Sequence, residues 1–124
     1  GEPFPLAPDR GYAADLKRAI TRLNGATRGQ AAALRRADTA AAQARAAGKL
    51  RASYRKAASS LRGATANPQV SGANANVVAA LVAVGGAYER RATAAGTADP
   101  AAYASARSQI AKGDARLRRA LRAV

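Results

Sequence analysis

Apolar positions recur along the chain at alternating steps of four and three, the spacing of a helix with one inward face. The first series runs through Leu16, Ile20, Leu23, Thr27, Gln30, Leu34 and Ala37. A second takes in Ala40, Gln43, Ala47, Leu50, Tyr54, Ala57, Leu61 and Ala64. A third holds Val70, Asn74, Val77, Leu81, Val84 and Tyr88, and a fourth Tyr103, Ala106, Ile110, Gly113, Leu117, Ala120 and Val124, with Leu121 beside it. No charged residue falls on any of the four seams. Strand-like alternation is sustained nowhere, and β-branched residues are few.

The punctuation between the series is that of helix ends. Asn67-Pro68 and Asp99-Pro100 each place an N-capping residue before a proline suited to the first helical position. Pro8-Asp9 marks an earlier start, and Gly96-Thr97-Ala98 a stop. Joining the first two series would need two consecutive steps of three, at positions 37, 40 and 43, which throws a continuous seam out of register. Asp38 sits at that slip and can cap a new helix. The rival break, Asn24-Gly25 followed by Thr27-x-x-Gln30, lies inside an unbroken seam. The predicted helices are therefore about 9–37, 39–66, 68–96 and 99–124. Short connections make neighbours antiparallel, so the expected architecture is an all-α, up-down-up-down four-helix bundle forming a single domain over residues 9–124. Residues 1–8, with three prolines, read as an extended tether or tag remnant.

Composition thins this picture. Alanine takes 38 of 124 positions, and only 22 residues are larger apolars. The core is expected to be shallow, with Gly48, Gly85, Gly86 and Gly113 read as sites of close helix approach or as merely tolerated. Tyr88 and Tyr103 are expected to meet across the turn between the third and fourth helices. The apolar run Val77–Ala87 is too short to span a membrane.

Cys and His are absent, along with Met and Trp. That excludes disulfides, thiolate nucleophiles, zinc sites built on Cys or His, and Ser-His-Asp triads. The seven acids are scattered. No catalytic residue, metal ligand or cofactor site is expected, and the chain reads as non-enzymatic. The polar seam residues Thr27, Gln30, Gln43 and Asn74 form a candidate polar core. Gln30 and Gln43 are expected at one end as a register-fixing pair of amides.

The net charge is +14, from 21 Lys and Arg against 7 Asp and Glu. Such a charge favours an anionic membrane surface or a cell-wall polyanion, and nucleic acid only non-specifically. GC-rich codon usage would also enrich both Arg and Ala. The candidate anion-facing end, where the chain starts, comprises Arg51, Arg55, Arg62, Arg116, Arg118, Arg119 and Arg122.

Three stretches carry a resemblance: Leu50-Arg51-Ala52-Ser53-Tyr54 through Leu61-Arg62-Gly63 to Pro68, Leu81 through Tyr88, and Asp99-Pro100-Ala101-Ala102-Tyr103 with Asp114 through Leu121. Together they resemble small exported proteins and lipoproteins of high-GC Gram-positive bacteria that carry an Ala/Arg-rich helical domain. The resemblance implies export, an N-terminal signal or anchor, and a helical bundle; it carries over no catalytic residue. The expectation is an extracytoplasmic domain, secreted or anchored through a preceding segment, that binds or packs at the cell envelope. The alternative is a cytoplasmic basic protein associating non-specifically with nucleic acid.

Overall fold

The computed structural model describes residues 9–64 and 66–124. The tether reading of residues 1–8 lies outside them. Four helices follow one another: α1 Arg10–Arg36, α2 Ala40–Arg62, α3 Pro68–Gly96 and α4 Pro100–Arg122. They form an antiparallel, up-down-up-down four-helix bundle. Pairings between successive helices fix the directions: Tyr54 of α2 reaches Tyr88 of α3, and Leu61 reaches back to Asn74. On the next face Arg91 of α3 meets Tyr103 of α4, while Val84 meets Gly113.

Each helix start is capped by a side chain. The Asp9 carboxylate accepts from the Tyr12 backbone N–H at 3.0 Å, Asn67 accepts from Val70 N–H, and Asp99 accepts from Ala102 N–H. Pro68 and Pro100 occupy the first turns of α3 and α4, where no backbone donor is needed. The break between α1 and α2 falls where the seam slips, but its cap is Thr39, one residue beyond Asp38. Thr39 takes the extended conformation and its Oγ1 accepts from Ala42 N–H at 3.1 Å. The second helix also ends earlier than its expected limit at residue 66. It stops at Arg62, with Gly63 at the C-cap and Ala64 beyond the helix.

The core is built on α2 and α3. Leu50, Leu61, Val77, Leu81 and Val84 are its largest fully buried side chains. By length and composition α3 is apolar enough to cross a membrane, with a mean hydropathy of 1.5 over 18 residues. Its flanking alanines lengthen the apolar window beyond Val77–Ala87, and Val77, Val78, Leu81 and Val84 line the bundle interior while Val82 is exposed. The outer helices sit on their sequence neighbours, α1 on α2 and α4 on α3. No Cα of α1 lies within 8 Å of one in α4 among the described residues, so the fourth side of the bundle is a cleft.

Candidate functional site

The cleft follows from which apolar residues each outer helix spends on its neighbour. On α1, Tyr12, Ala19 and Leu23 are buried, whereas Leu16 and Ile20 are only half-buried. On α4, Ala106, Ile110, Gly113 and Leu117 are buried, whereas Leu121 is half-buried. Leu16, Ile20 and Leu121 thus line a gap that neither helix closes. The upper arm is an open groove of about 560 Å³ between Ile20, Leu23 and Thr27 of α1 and Leu117 and Leu121 of α4. The lower arm, also open, takes up about 520 Å³ and shares Ile20 and Leu121 with the upper one. Its remaining apolar walls are Tyr12, Ala13, Leu16, Val70 and Val124, and Asp9 and Lys17 also line it.

Tyr54 and Tyr88 form the floor of the upper arm. Their rings stack with centroids 5.6 Å apart and planes inclined by 29°, a favourable offset arrangement. The Tyr54 hydroxyl donates to Asp114 Oδ1 at 3.1 Å. Burial pushes the Tyr54 phenol well above its ordinary value, and the negative charge of Asp114 adds to the shift. Tyr88 moves the same way for the same leading reason. Burial likewise pushes the Asp114 carboxyl up, against the hydrogen bond from Tyr54 and the charge of Arg118. The pair gives the cleft one hydrogen-bonded polar point on an apolar floor. Arg28 and Arg35 from α1 and Arg118 from α4 stand around the upper arm.

The four expected polar seam residues separate in space. Asn74 is buried near the start of α3, where it accepts from the Tyr12 hydroxyl at 2.6 Å and donates to the Leu61 carbonyl at 3.1 Å. It ties α1, α2 and α3 together and has no opening to a ligand. Thr27 bonds back to the Asn24 carbonyl and lines the cleft. Gln43 donates to the Ala37 carbonyl at 3.4 Å and so closes the α1–α2 turn rather than pairing with Gln30. Gln30 lines a recess with Arg36, Asp38 and Lys49 that does not include Gln43. The expected meeting of Tyr88 and Tyr103 is replaced on both sides. Tyr88 stacks on Tyr54, and Tyr103 accepts from Arg91 at 2.8 Å with the guanidinium 4.8 Å from its ring.

The seven arginines expected at one end also divide. Arg62, Arg119 and Arg122 lie in the last turns of α2 and α4 and share that end, with Arg116 a turn further in. Arg51 lies about 16 Å up the helix axis from Arg62, at 1.5 Å per residue. Its Nε is 3.6 Å from the Glu89 carboxylate of α3. Arg55 lies beside Gly85 at mid-height, and Arg118 belongs to the cleft. Sequence reasoning missed the Tyr54–Asp114 pair and the two α1 arginines of the cleft. The available signal was Asp114 flanking the seam between Gly113 and Leu117, with a seam tyrosine at the matching height on α2.

Compared with protein-family models, curated proteins and solved structures, the chain matches nothing.

Proposed function

We propose that this chain is a non-enzymatic, extracytoplasmic binding domain that holds an anionic surface of the cell envelope. The observation that supports this reading is the surplus of cations left over on a fixed helical frame. Against 21 Lys and Arg, the described residues make two ion pairs, Arg18–Asp15 and Arg51–Glu89. The end formed by the start of α1 and the last turns of α2 and α4 has the sharper imbalance. Arg10, Arg62, Arg119 and Arg122 gather there, while the nearby Asp9 carboxylate is engaged by two backbone N–H groups. Each basic group near an anionic bilayer contributes on the order of 1 kcal/mol and fades within a Debye length of about 8 Å. Several acting together at one end therefore set an orientation. The envelope location rests on the resemblance to exported Ala/Arg-rich helical proteins.

The test is co-sedimentation with vesicles containing phosphatidylglycerol, against vesicles of phosphatidylcholine alone. Binding is expected only to the anionic vesicles, and it should weaken steeply on raising salt to about 200 mM. Replacing Arg62, Arg116, Arg119 and Arg122 by Gln should release more protein than replacing Arg28, Arg35, Arg36 and Arg90. Equal release by the two sets would remove the orientation. Absence of binding at low salt, with retention of duplex DNA under the same conditions, would move the reading to nucleic acid.

A further inference from the structure

The long face where α1 lies on α2 is charged differently from the other sides of the bundle. Two open grooves follow one another along it. Arg22 and Lys56 line the first, with the Ser53 and Ser60 hydroxyls. Arg36, Arg45 and Lys49 line the second, with Gln30 and Asp38. Ala26 of the first groove and Gln30 of the second are one turn apart on α1, as Ser53 and Lys49 are on α2, so the grooves run on into each other. All five cations are exposed, and none is in an ion pair among the described residues. Of the acids only Asp38 lines the two grooves; Asp15, two turns before Arg22 on α1, is paired with Arg18. On the other sides acids answer the cations. Glu89 and Asp99 stand beside Arg90 between α3 and α4, Glu89 also pairs with Arg51, and Asp9 and Asp114 line the cleft. We propose that the α1–α2 face is a binding track for one strand of a linear polyol phosphate, a polymer of phosphodiesters joined by hydroxylated carbons. The track is distinct from the cationic end of the bundle, and the inference does not rest on the surface-binding reading.

The spacing of the charges and the polar groups between them select the occupant. Arg22 and Arg36 lie about 21 Å apart along α1 at 1.5 Å per residue, so the face is a strip and not a point site. The helices are antiparallel, which sets Lys56 near Arg22 and brings Arg45 and Lys49 toward Arg36. The cations thus form two groups, about 10 Å apart along α2 from Lys56 to Lys49, with the half-buried Ser53 and Gln30 between them. The Ser53 hydroxyl donates to the Lys49 carbonyl, so it turns lone pairs to a ligand. Ionised Asp38 can only accept. A polymer that alternates anionic groups with hydroxyl donors satisfies both, whereas an unbroken run of carboxylates sets oxygen against oxygen. Guanidinium and ammonium groups both hold phosphate, the first as a fork and the second as a point charge. A base-bearing single strand would need aromatic rings to stack on. The tyrosines are engaged elsewhere: Tyr12, Tyr54 and Tyr88 border the cleft, and Tyr103 lies under Arg91. A flat bilayer would meet the cationic rims but not Ser53 and Gln30 between them.

The experiment is calorimetric titration of the full chain, at about 50 mM salt, with lipid-free poly(glycerol phosphate) against polyglutamate and oligothymidylate of equal charge number. Poly(glycerol phosphate) is expected to bind at least about tenfold tighter than either, the gain of one hydrogen bond to a charged group. Its log affinity should fall against log salt with a slope of about −3.5, from five neutralised phosphates at about 0.7 each. Arg22 and Lys56 are exposed, so Arg22→Gln/Lys56→Gln should fold normally, cut the slope to about −2 and weaken binding at least about fivefold. Arg107→Gln/Lys112→Gln takes the same charge off α4 and should leave the slope unchanged. Gln30→Ala/Ser53→Ala, checked for folding by circular dichroism, should weaken poly(glycerol phosphate) at least about threefold and leave polyglutamate unchanged. Four results would each overturn the track: equal loss from the α1–α2 and α4 charge pairs, polyglutamate or oligothymidylate bound as tightly as poly(glycerol phosphate), equal loss of both polymers in Gln30→Ala/Ser53→Ala, or no binding at low salt. Arg62→Gln/Arg119→Gln should keep full polymer binding while losing vesicle adhesion. Failure of the unaltered chain to hold vesicles, with the polymer still bound, would count against the surface reading alone.

Discussion

Two single residues set how this bundle begins and turns. Asp9 accepts from Tyr12 N–H and, at 2.7 Å, from Asn67 N–H, so one carboxylate fastens the start of α1 to the start of α3. At the opposite end the turn from α3 to α4 closes through paired bonds, Ala98 N–H to the Ala95 carbonyl and Asp99 N–H to the Ala94 carbonyl. That closure requires a left-handed residue at Ala98, whose φ is 52°. An L side chain there costs about 1–2 kcal/mol, which glycine avoids. Glycine also widens the unfolded ensemble and returns part of the gain. Ala98→Gly is therefore expected to stabilise the domain by about 0.5–1 kcal/mol, read as a Tm higher by about 2–6 °C. A lowered Tm would mean that the turn does not hold this conformation. The position was hidden in the sequence because Gly96, two residues earlier, offers the usual glycine stop. The hydrogen-bond pattern, and not the glycine, decides where the left-handed residue falls.

At the scale of the element, the glycines that look alike in the sequence do different things. Gly113 faces Val84 so closely that an added Cβ would stand 2.8 Å from the valine Cγ2. Val84 is fully buried and short, so it has little room to yield. Gly48, in the middle of α2, has nothing within 4 Å of the same added atom. Gly48→Ala should gain the helix propensity of about 1 kcal/mol with no opposing clash. Gly113→Ala makes the same gain and then meets an overpacking cost of about 1–3 kcal/mol, for a net loss. Urea unfolding of the two variants should move the midpoint in opposite directions; a shift of the same sign would show that the α3–α4 approach relaxes freely. The four seams were legible because heptad spacing is a property of one helix at a time. Which side of each outer helix stays open was not. The spacing places Leu16, Ile20 and Leu23 on one α1 face but cannot say that Leu23 is buried while Leu16 and Ile20 stay half-buried beside a gap. Nor can it assign Tyr88 a partner, since Tyr54 and Tyr103 are both seam residues on neighbouring helices.

Across the whole molecule, acid and base act on stability through two aspartates whose environments pull in opposite directions. The backbone N–H groups of Tyr12 and then Asn67 hold the Asp9 carboxyl below its ordinary 3.8. Its ionised form belongs to the folded state, so its contribution is present above 3.8 and is lost as the pH falls through the lower folded value. Burial holds Asp114 above 3.8, against Tyr54 from α2 and Arg118 on its own helix, with Tyr88 of α3 also beside it. Here the folded state favours the protonated form, so stability is fullest below 3.8 and declines as the pH rises through the raised folded value. The contribution of these two groups is therefore greatest between the lowered Asp9 value and the raised Asp114 value, with Asp9 shaping the acid flank and Asp114 the side toward neutrality. Asp114→Asn keeps an oxygen to accept from Tyr54 and removes the charge that burial opposes. Urea titrations at pH 3, 4.5 and 7 should show the decline between the last two flattened in this variant and the acid flank unchanged. Asp9→Asn, which still caps α1, should do the reverse. If Asp114→Asn retains the whole decline toward neutrality, the Tyr54–Asp114 pair is not where the bundle senses that range.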